Sequence, residues 1–286
     1  MISSKFIKMP DAEYFSLSGL SASALKQFDK SPSHYKYYVN NKQDFVKAFL
    51  DGRVAHAKIL ENKDPKLIEY LACKSADDKS KIHDFFKKNI SEDNFNTCFP
   101  GGKITASGRD QAFDIGNYYT EKEYENIMQM YKSVKNHPIG KHICNNQKNA
   151  ELASFVTCPR TGLKLKAKFD YVPQSGNVLF DLKTIAEIKE NKIKYTIKDL
   201  KYHIQACHYL YVAELANRKF DQFVFVFVEK KPPFGVLCVK LEDDFIIDCM
   251  DYYHTLLDNF ALCKKMNDFS KCYDEDIKNV SFYLYT

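Results

Sequence analysis

The spacing of apolar residues changes period once along this chain, and that change restricts its architecture more than any other feature. Through about residue 148 apolar side chains recur at helical spacing, and beyond it they alternate at period 2. Residues 18–39 open with SGLSASALKQF, where Ser21 or Ser23 can cap a helix carrying Leu25 and Phe28, and Ser31-Pro32 interrupts it. Residues 44–61 place Val46, Phe49, Leu50, Ala57 and Leu60 at helical spacing around Arg53 and His56. Polar loops are expected near 74–80 and 91–103, and another helix over about 121–145. Residues 163–172, LKLKAKFDYV, then alternate apolar and polar. After PQSG, NVLFDLK reads as a second, mostly buried strand, so the two should form a hairpin. A helix over 199–217, an aromatic-rich strand over 222–229, its partner over 236–242 and a helix from Asp243 to about Lys265 complete the order. Strand, strand, helix, strand, strand behind a helical lobe predicts an α/β fold with a central mixed sheet flanked by helices.

No internal repeat, low-complexity tract or Pro/Gly/Ser linker divides the 286 residues. With 45% hydrophobic residues the chain can bury one large core. A single domain over 1–286 is therefore expected, with a helical front part over about 1–148 and a sheet-helix core over about 149–286. There is no run of eighteen apolar residues and no secretion-type leader pattern, which predicts a soluble, cytoplasmic protein with no membrane partner. Nine scattered cysteines without a C-x-x-C suggest neither a disulfide framework nor a zinc ribbon. The net charge of +5 is too mild to imply a polyanionic partner, but Pro159–Lys201 holds ten basic residues against five acidic ones. Folded onto one surface, that excess suits a phosphate backbone; otherwise it is a solvated lysine-rich loop.

On the second strand, Asp181 and Lys183 point the same way while Leu182 packs behind them. Their apolar neighbours imply that Asp181 is partly desolvated and in need of a partner. Asp170 lies eleven positions earlier, on the first strand of the hairpin. Two carboxylates and a backbone carbonyl are hard oxygen donors of the kind that Mg²⁺ accepts, and a neighbouring lysine can orient water or stabilise charge on a phosphate. Alone, D-x-K is common and marks at most a weak surface ion pair. Gln205 and Tyr209, at i and i+4, share one face of the following helix.

Together, LKLKAKFDYV, NVLFDLKTIAEI and YHIQACHYLYV resemble the PD-(D/E)xK core of RecE-like phage and prophage exonucleases, including the downstream Q-x-x-x-Y helix. LSASALKQFDKSPSHYKYY followed by LDGRVAHAKILE is similar to that family's opening helix and G-x-x-x-H element, and NHPIGKHI before Glu151 to its approach to an acidic residue. The likeness covers roughly residues 17–245. It implies metal ligands at His56, Asp170, Asp181 and the Leu182 carbonyl, a catalytic Lys183, a supporting acid at Glu151, and a site lined by Gln205 and Tyr209. His203 and His208 are expected to pack or to face DNA. The sequence departs from the signature at Phe169, where the family has proline before the first aspartate. The absence of a cysteine cluster argues against the iron–sulfur branch of the superfamily.

The resemblance implies a bacterial or phage exodeoxyribonuclease that uses Mg²⁺, with Mn²⁺ able to substitute. It would act on double-stranded DNA ends, degrade one strand 5′→3′, work as a homo-oligomeric ring and leave single-stranded tails for a RecT-like annealing protein. No G-x-x-x-x-G-K-[ST] is present, so no ATP-driven motor is expected. A structure- or sequence-specific endonuclease on the same core and a non-catalytic DNA-binding protein are the alternatives. The hairpin supplies a geometric condition. For Asp170 and Asp181 to share a face, opposed residue numbers must sum to an odd value, as with Tyr171 opposite Val178, unless a bulge shifts the count.

Overall fold

The computed structural model describes residues 5–41, 47–68 and 73–271. In chain order the regular elements are β1 (Ile7–Lys8), α1 (Asp11–Ser16), α2 (Ala22–Phe28), α3 (Pro32–Asn40), α4 (Lys47–Glu61), β2 (Lys66–Ile68), α5 (Ala76–Asn89), α6 (Glu92–Cys98), α7 (Ala106–Gly116), β3 (Tyr118–Thr120) and α8 (Glu121–Asn136). They continue as β4 (Ala150–Thr157), β5 (Lys164–Tyr171), β6 (Val178–Ile185), α9 (Ile193–Asp199), α10 (Tyr202–Leu215), β7 (Gln222–Glu229), β8 (Val236–Lys240) and α11 (Asp243–Met266).

The opening helices form where their caps stand. The Ser21 hydroxyl accepts the Ala24 N–H at the start of α2, and Ser31 accepts from His34 with Pro32 in the first turn of α3. Of the apolar stripe expected over 44–61, Val46 lies outside the described residues, Leu50 and Leu60 are buried, and Phe49 is 61% exposed. The stretches expected as polar loops are instead largely helical. Ser75 and Asp78 close a capping box that starts α5, and Ser91 caps α6. These helices escape a search for apolar periodicity because each buries only two side chains, Ile82 and Phe86 in one and Phe95 and Cys98 in the other. Helix α8 stops at Asn136 rather than near 145, since Pro138 disfavours helical backbone at His137.

Six strands form one mixed sheet in the order β1-β4-β5-β6-β7-β8. Within this sheet only β6 and β7 run parallel, and α9 with α10 make the crossover between them; β2 and β3 form a separate parallel pair. Strand β7 shows why the sheet is covered on both sides. Phe223, Phe225 and Phe227 enter one core with α2, α10 and α11, while Val224, Val226 and Val228 enter the other with α4 and α8. Strand β4 is not among the strands that the sequence pattern predicts. Glu151, expected just before the first of the core strands, lies inside β4, which pairs antiparallel with β5.

Part of the basic stretch turns inward. The ammonium of Lys166 is buried and donates to the carbonyls of Tyr14 and Leu17 at 3.1 and 2.7 Å, and Lys201 pairs with Asp29. The excess is therefore not one solvated face, although Lys189 and Lys194 remain exposed. His208 packs, as expected: Nε2 donates to the Lys166 carbonyl and Nδ1 accepts from the Tyr253 hydroxyl, both at 3.0 Å. Burial pulls its pKa down to about 4 and keeps it neutral. No helix among the described residues is long and apolar enough to cross a membrane.

Candidate active site

Strands β5 and β6 share a single ladder pair, Tyr171 opposite Phe180. The numbers sum to an odd value, so the geometric condition is met, with Phe180 taking the place expected for Val178. That register sets Asp170 beside Asp181. The Asp170 Oδ2 accepts the Leu182 N–H at 2.7 Å, so a side chain takes up a strand donor at the point where the ladder stops.

Asp181 is fully buried. Its Oδ1 accepts from Gln205 Nε2 at 2.8 Å across from α10. Its Oδ2 touches the Lys183 ammonium but has no hydrogen-bond donor in line with it. This contact is an ion pair of poor directionality, which leaves one buried oxygen able to take a stronger partner. Burial works against the charge on Lys183, and the carboxylates of Asp181 and Asp170 outweigh it, so its pKa stands above the ordinary lysine value. The ammonium also lies 4.9 Å from the centroid of the Tyr202 ring.

On the other side of Asp170, helix α4 brings in His56. Its Nδ1 lies 3.8 Å from Asp170 Oδ2 and 3.9 Å from Glu151 Oε1, too far for hydrogen bonds and close enough for charge interaction. The ligand atoms of His56, Glu151 and Asp170 all lie within 4.8 Å of one another. Glu151 reaches this position with φ at +54°, a conformation that costs a non-glycine residue on the order of 1–3 kcal/mol. It lies between the pairs Ala150–Tyr171 and Leu152–Phe169, so the strained residue stands across from Asp170. Lys168 holds its other oxygen at 2.7 Å. Burial alone would raise the Glu151 pKa, but His56 and Lys168 hold it down to about 2. Asp170 behaves oppositely: burial, then the neighbouring Asp181, push its carboxyl up to about 7 against the pull of His56 and Lys183.

The structure thus gathers His56, Glu151, Asp170, Asp181, Lys183 and Gln205 around one junction of strands. Tyr209 packs on Phe169, ring centroids 5.1 Å apart, and burial with the charges of Asp181 and Asp170 holds its hydroxyl well above pH 10. Leu182 packs into the core beneath α4, and its contact in the site is through its N–H. Phe169 is buried between Phe6 and Tyr209, a filling role that a proline could not take. The sequence offered no signal for Lys26, Lys168 or Tyr202. Lys26 comes from α2 and donates to Gln205 Oε1 at 2.9 Å, and burial followed by repulsion from Lys183 lowers its pKa to about 7.

These donors fit a divalent cation. The carboxylates of Glu151 and Asp170 and the His56 imidazole are hard to borderline ligands within reach of one ion; Asp181 lies outside that cluster, beside Asp170, and its buried Oδ2 lacks an aligned donor. The nearby His56 and Lys183 only partly offset burial and the Asp181 charge at Asp170, as its raised pKa records.

Among solved structures, a candidate exonuclease from Eubacterium rectale overlays with a TM-score of 0.58 at 12% identity, covering 97% of each chain, which shows a shared fold. A second, SSO0001, is 11% identical over 75% of this chain and 88% of its own, and its TM-score of 0.26 carries no argument. No curated protein matches the sequence. Residues 21–274, which contain every site residue named above, match a family description along their whole length, and the chain belongs to the PDDEXK-like domains of unknown function, DUF3799.

Proposed function

We propose that this protein is a divalent-metal-dependent exodeoxyribonuclease, similar to RecE-like enzymes, that degrades one strand of linear double-stranded DNA. The observation that carries this reading is the meeting of two carboxylates from paired strands, the fully buried Asp181 and the partly buried Asp170, with Lys183 held against one and His56 and Glu151 against the other. His56, Asp170, Asp181 and the Leu182 carbonyl, with Glu151 as a supporting acid, would hold Mg²⁺, or Mn²⁺ in its place. A bound ion supplies Lewis-acid charge at the phosphate oxygens. Lys183 orients the attacking water or stabilises the charge that develops on the phosphate. Gln205 engages one oxygen of Asp181, while the other lies against the Lys183 ammonium. Tyr209 closes the apolar side and excludes water.

The finer claims of 5′→3′ polarity, a homo-oligomeric ring and a single-stranded product passed to an annealing protein rest on the resemblance, and one domain serving all of it rests on the lack of a linker in the sequence. One comparison separates the leading reading from its alternatives. Linear and covalently closed circular duplex are incubated with the protein in Mg²⁺ and in EDTA. The expected result is nucleotide release from linear duplex in Mg²⁺ alone, with the closed circle intact. Cutting of the circle would make the protein an endonuclease, and no Mg²⁺-dependent cleavage of either would leave a non-catalytic DNA-binding protein.

A further inference from the structure

Asp181 and Lys26 come from different layers, and the Gln205 side chain bridges them. Gln205 is 9% exposed; its Nε2 donates to Asp181 Oδ1 at 2.8 Å and its Oε1 accepts from Lys26 Nζ at 2.9 Å. An amide has one accepting and one donating end, a carboxylate only accepts and an ammonium only donates. Turning the amide over would set oxygen against carboxylate whatever the charge on Lys26, and NH₂ against ammonium when Lys26 is protonated, so the protonated lysine and the carboxylate select the same orientation. The lysine is itself fixed. Its ammonium lies 4.8 Å from the Tyr202 ring centroid, and Lys183 lies 4.9 Å from the same centroid, so one aromatic ring holds both amines.

We propose that Lys26 is a positioning residue for the hydrolytic centre, acting through Gln205: it locks the amide so that Gln205 holds one oxygen of Asp181 and leaves the other turned toward the cation. This rests on the nuclease reading for its activity consequence, while its consequence for cation binding stands without it. Lys26 touches Gln205 rather than a carboxylate of the centre. A bare positive charge at that place would repel a bound cation, so its removal would tighten cation binding. A lock has the opposite effect, because an unlocked Gln205 releases Asp181. The sign of the change therefore separates the two roles.

Mn²⁺ binding is measured by calorimetry on the full chain for wild type, Lys26→Met, Lys26→Gln, Lys26→Arg, Gln205→Ala and the Lys26→Met/Gln205→Ala double variant, each first checked for native melting. Single-turnover and steady-state cleavage of linear duplex follow on the same set. Loss of a group that orients a ligand typically weakens metal affinity or activity about tenfold to hundredfold, and that is the loss expected for Lys26→Met and Lys26→Gln in both affinity and kcat. KM for duplex should stay within about twofold, Lys26→Arg should recover most of the loss, and the double variant should be no worse than Gln205→Ala alone. Tighter Mn²⁺ binding in Lys26→Met would overturn the proposal, as would losses that multiply in the double variant or an effect confined to KM. A wild type that binds Mn²⁺ but cleaves no DNA would defeat the nuclease reading and leave Lys26 to be decided by calorimetry. A wild type that binds no Mn²⁺ would defeat both.

Discussion

Lys183→Arg is expected to fold, to bind duplex DNA and Mg²⁺, and to lose about 10²–10⁴ in turnover, the range for a positioned proton-transfer or charge-stabilising group. Lys183 is confined by Asp181 on one side and the Tyr202 ring on another. If it only balanced the charge of Asp181, arginine would serve, since its guanidinium is always charged. A positioned donor needs a particular reach, and the planar fork of arginine cannot take the place of a compact ammonium beside the attacking water. Single-turnover cleavage of 5′-phosphorylated linear duplex at saturating enzyme measures the step directly. A variant within a few-fold of wild type would reduce Lys183 to a structural charge partner and leave the chemistry to the carboxylates.

The second large effect concerns Asp170 and is read in stability. Its pKa in the folded chain is pushed up to about 7 from an ordinary 3.8, chiefly by burial and then by Asp181. A carboxyl raised in this way contributes stability that is fully present below its unfolded pKa and is lost as pH rises through the folded value. At pH 8 the metal-free protein therefore carries a penalty of order 4 kcal/mol, at about 1.4 kcal/mol for each pH unit. Asp170→Asn removes that charge and keeps an oxygen to accept the Leu182 N–H. Without metal, the variant should be more stable than wild type at pH 8 and lose that advantage near pH 4. Mg²⁺ should narrow that gap: a ligand at 100 times its Kd adds about 2.7 kcal/mol to wild type and little to the variant, which offsets more than half of the penalty. Denaturant unfolding of both proteins at both pH values, with and without Mg²⁺, gives the four stability differences. Asp170→Asn less stable than wild type at pH 8, with no Mg²⁺ effect on either, would make Asp170 a structural acceptor.

Much of the sheet that carries the candidate site is legible because it is periodic. The Phe and Val alternation of β7 can only fit a strand buried on both faces, and Asp181 and Lys183 are legible as a pair because a strand turns alternate side chains to one side. The facing of Asp170 and Asp181 was legible only as a condition, since hairpin register depends on where a six-residue connection lets the ladder begin. Helices α5 and α6 were hidden by polar sequences with few buried residues, although the serine caps were there to be found. Glu151 was placed outside the strands because nothing in AELASFVT marks a residue forced to positive φ. Lysines resist reading most of all. Lys166 and Lys26 look like solvent-facing charge, and only the approach of α1, α2 and α10 turns one into a structural donor and the other into a neighbour of Gln205.

The meeting of Asp170, Asp181 and Lys183 as a hydrolytic centre is tested most directly by titrating Mg²⁺ into wild type and Asp181→Ala with the same linear duplex, following nucleotide release and duplex binding together. Wild type should cleave only with Mg²⁺ present. Asp181→Ala should bind duplex about as well and release nothing, because it loses a buried anionic ligand without changing the exposed lysines. Mg²⁺-dependent cleavage retained by Asp181→Ala would contradict the assignment.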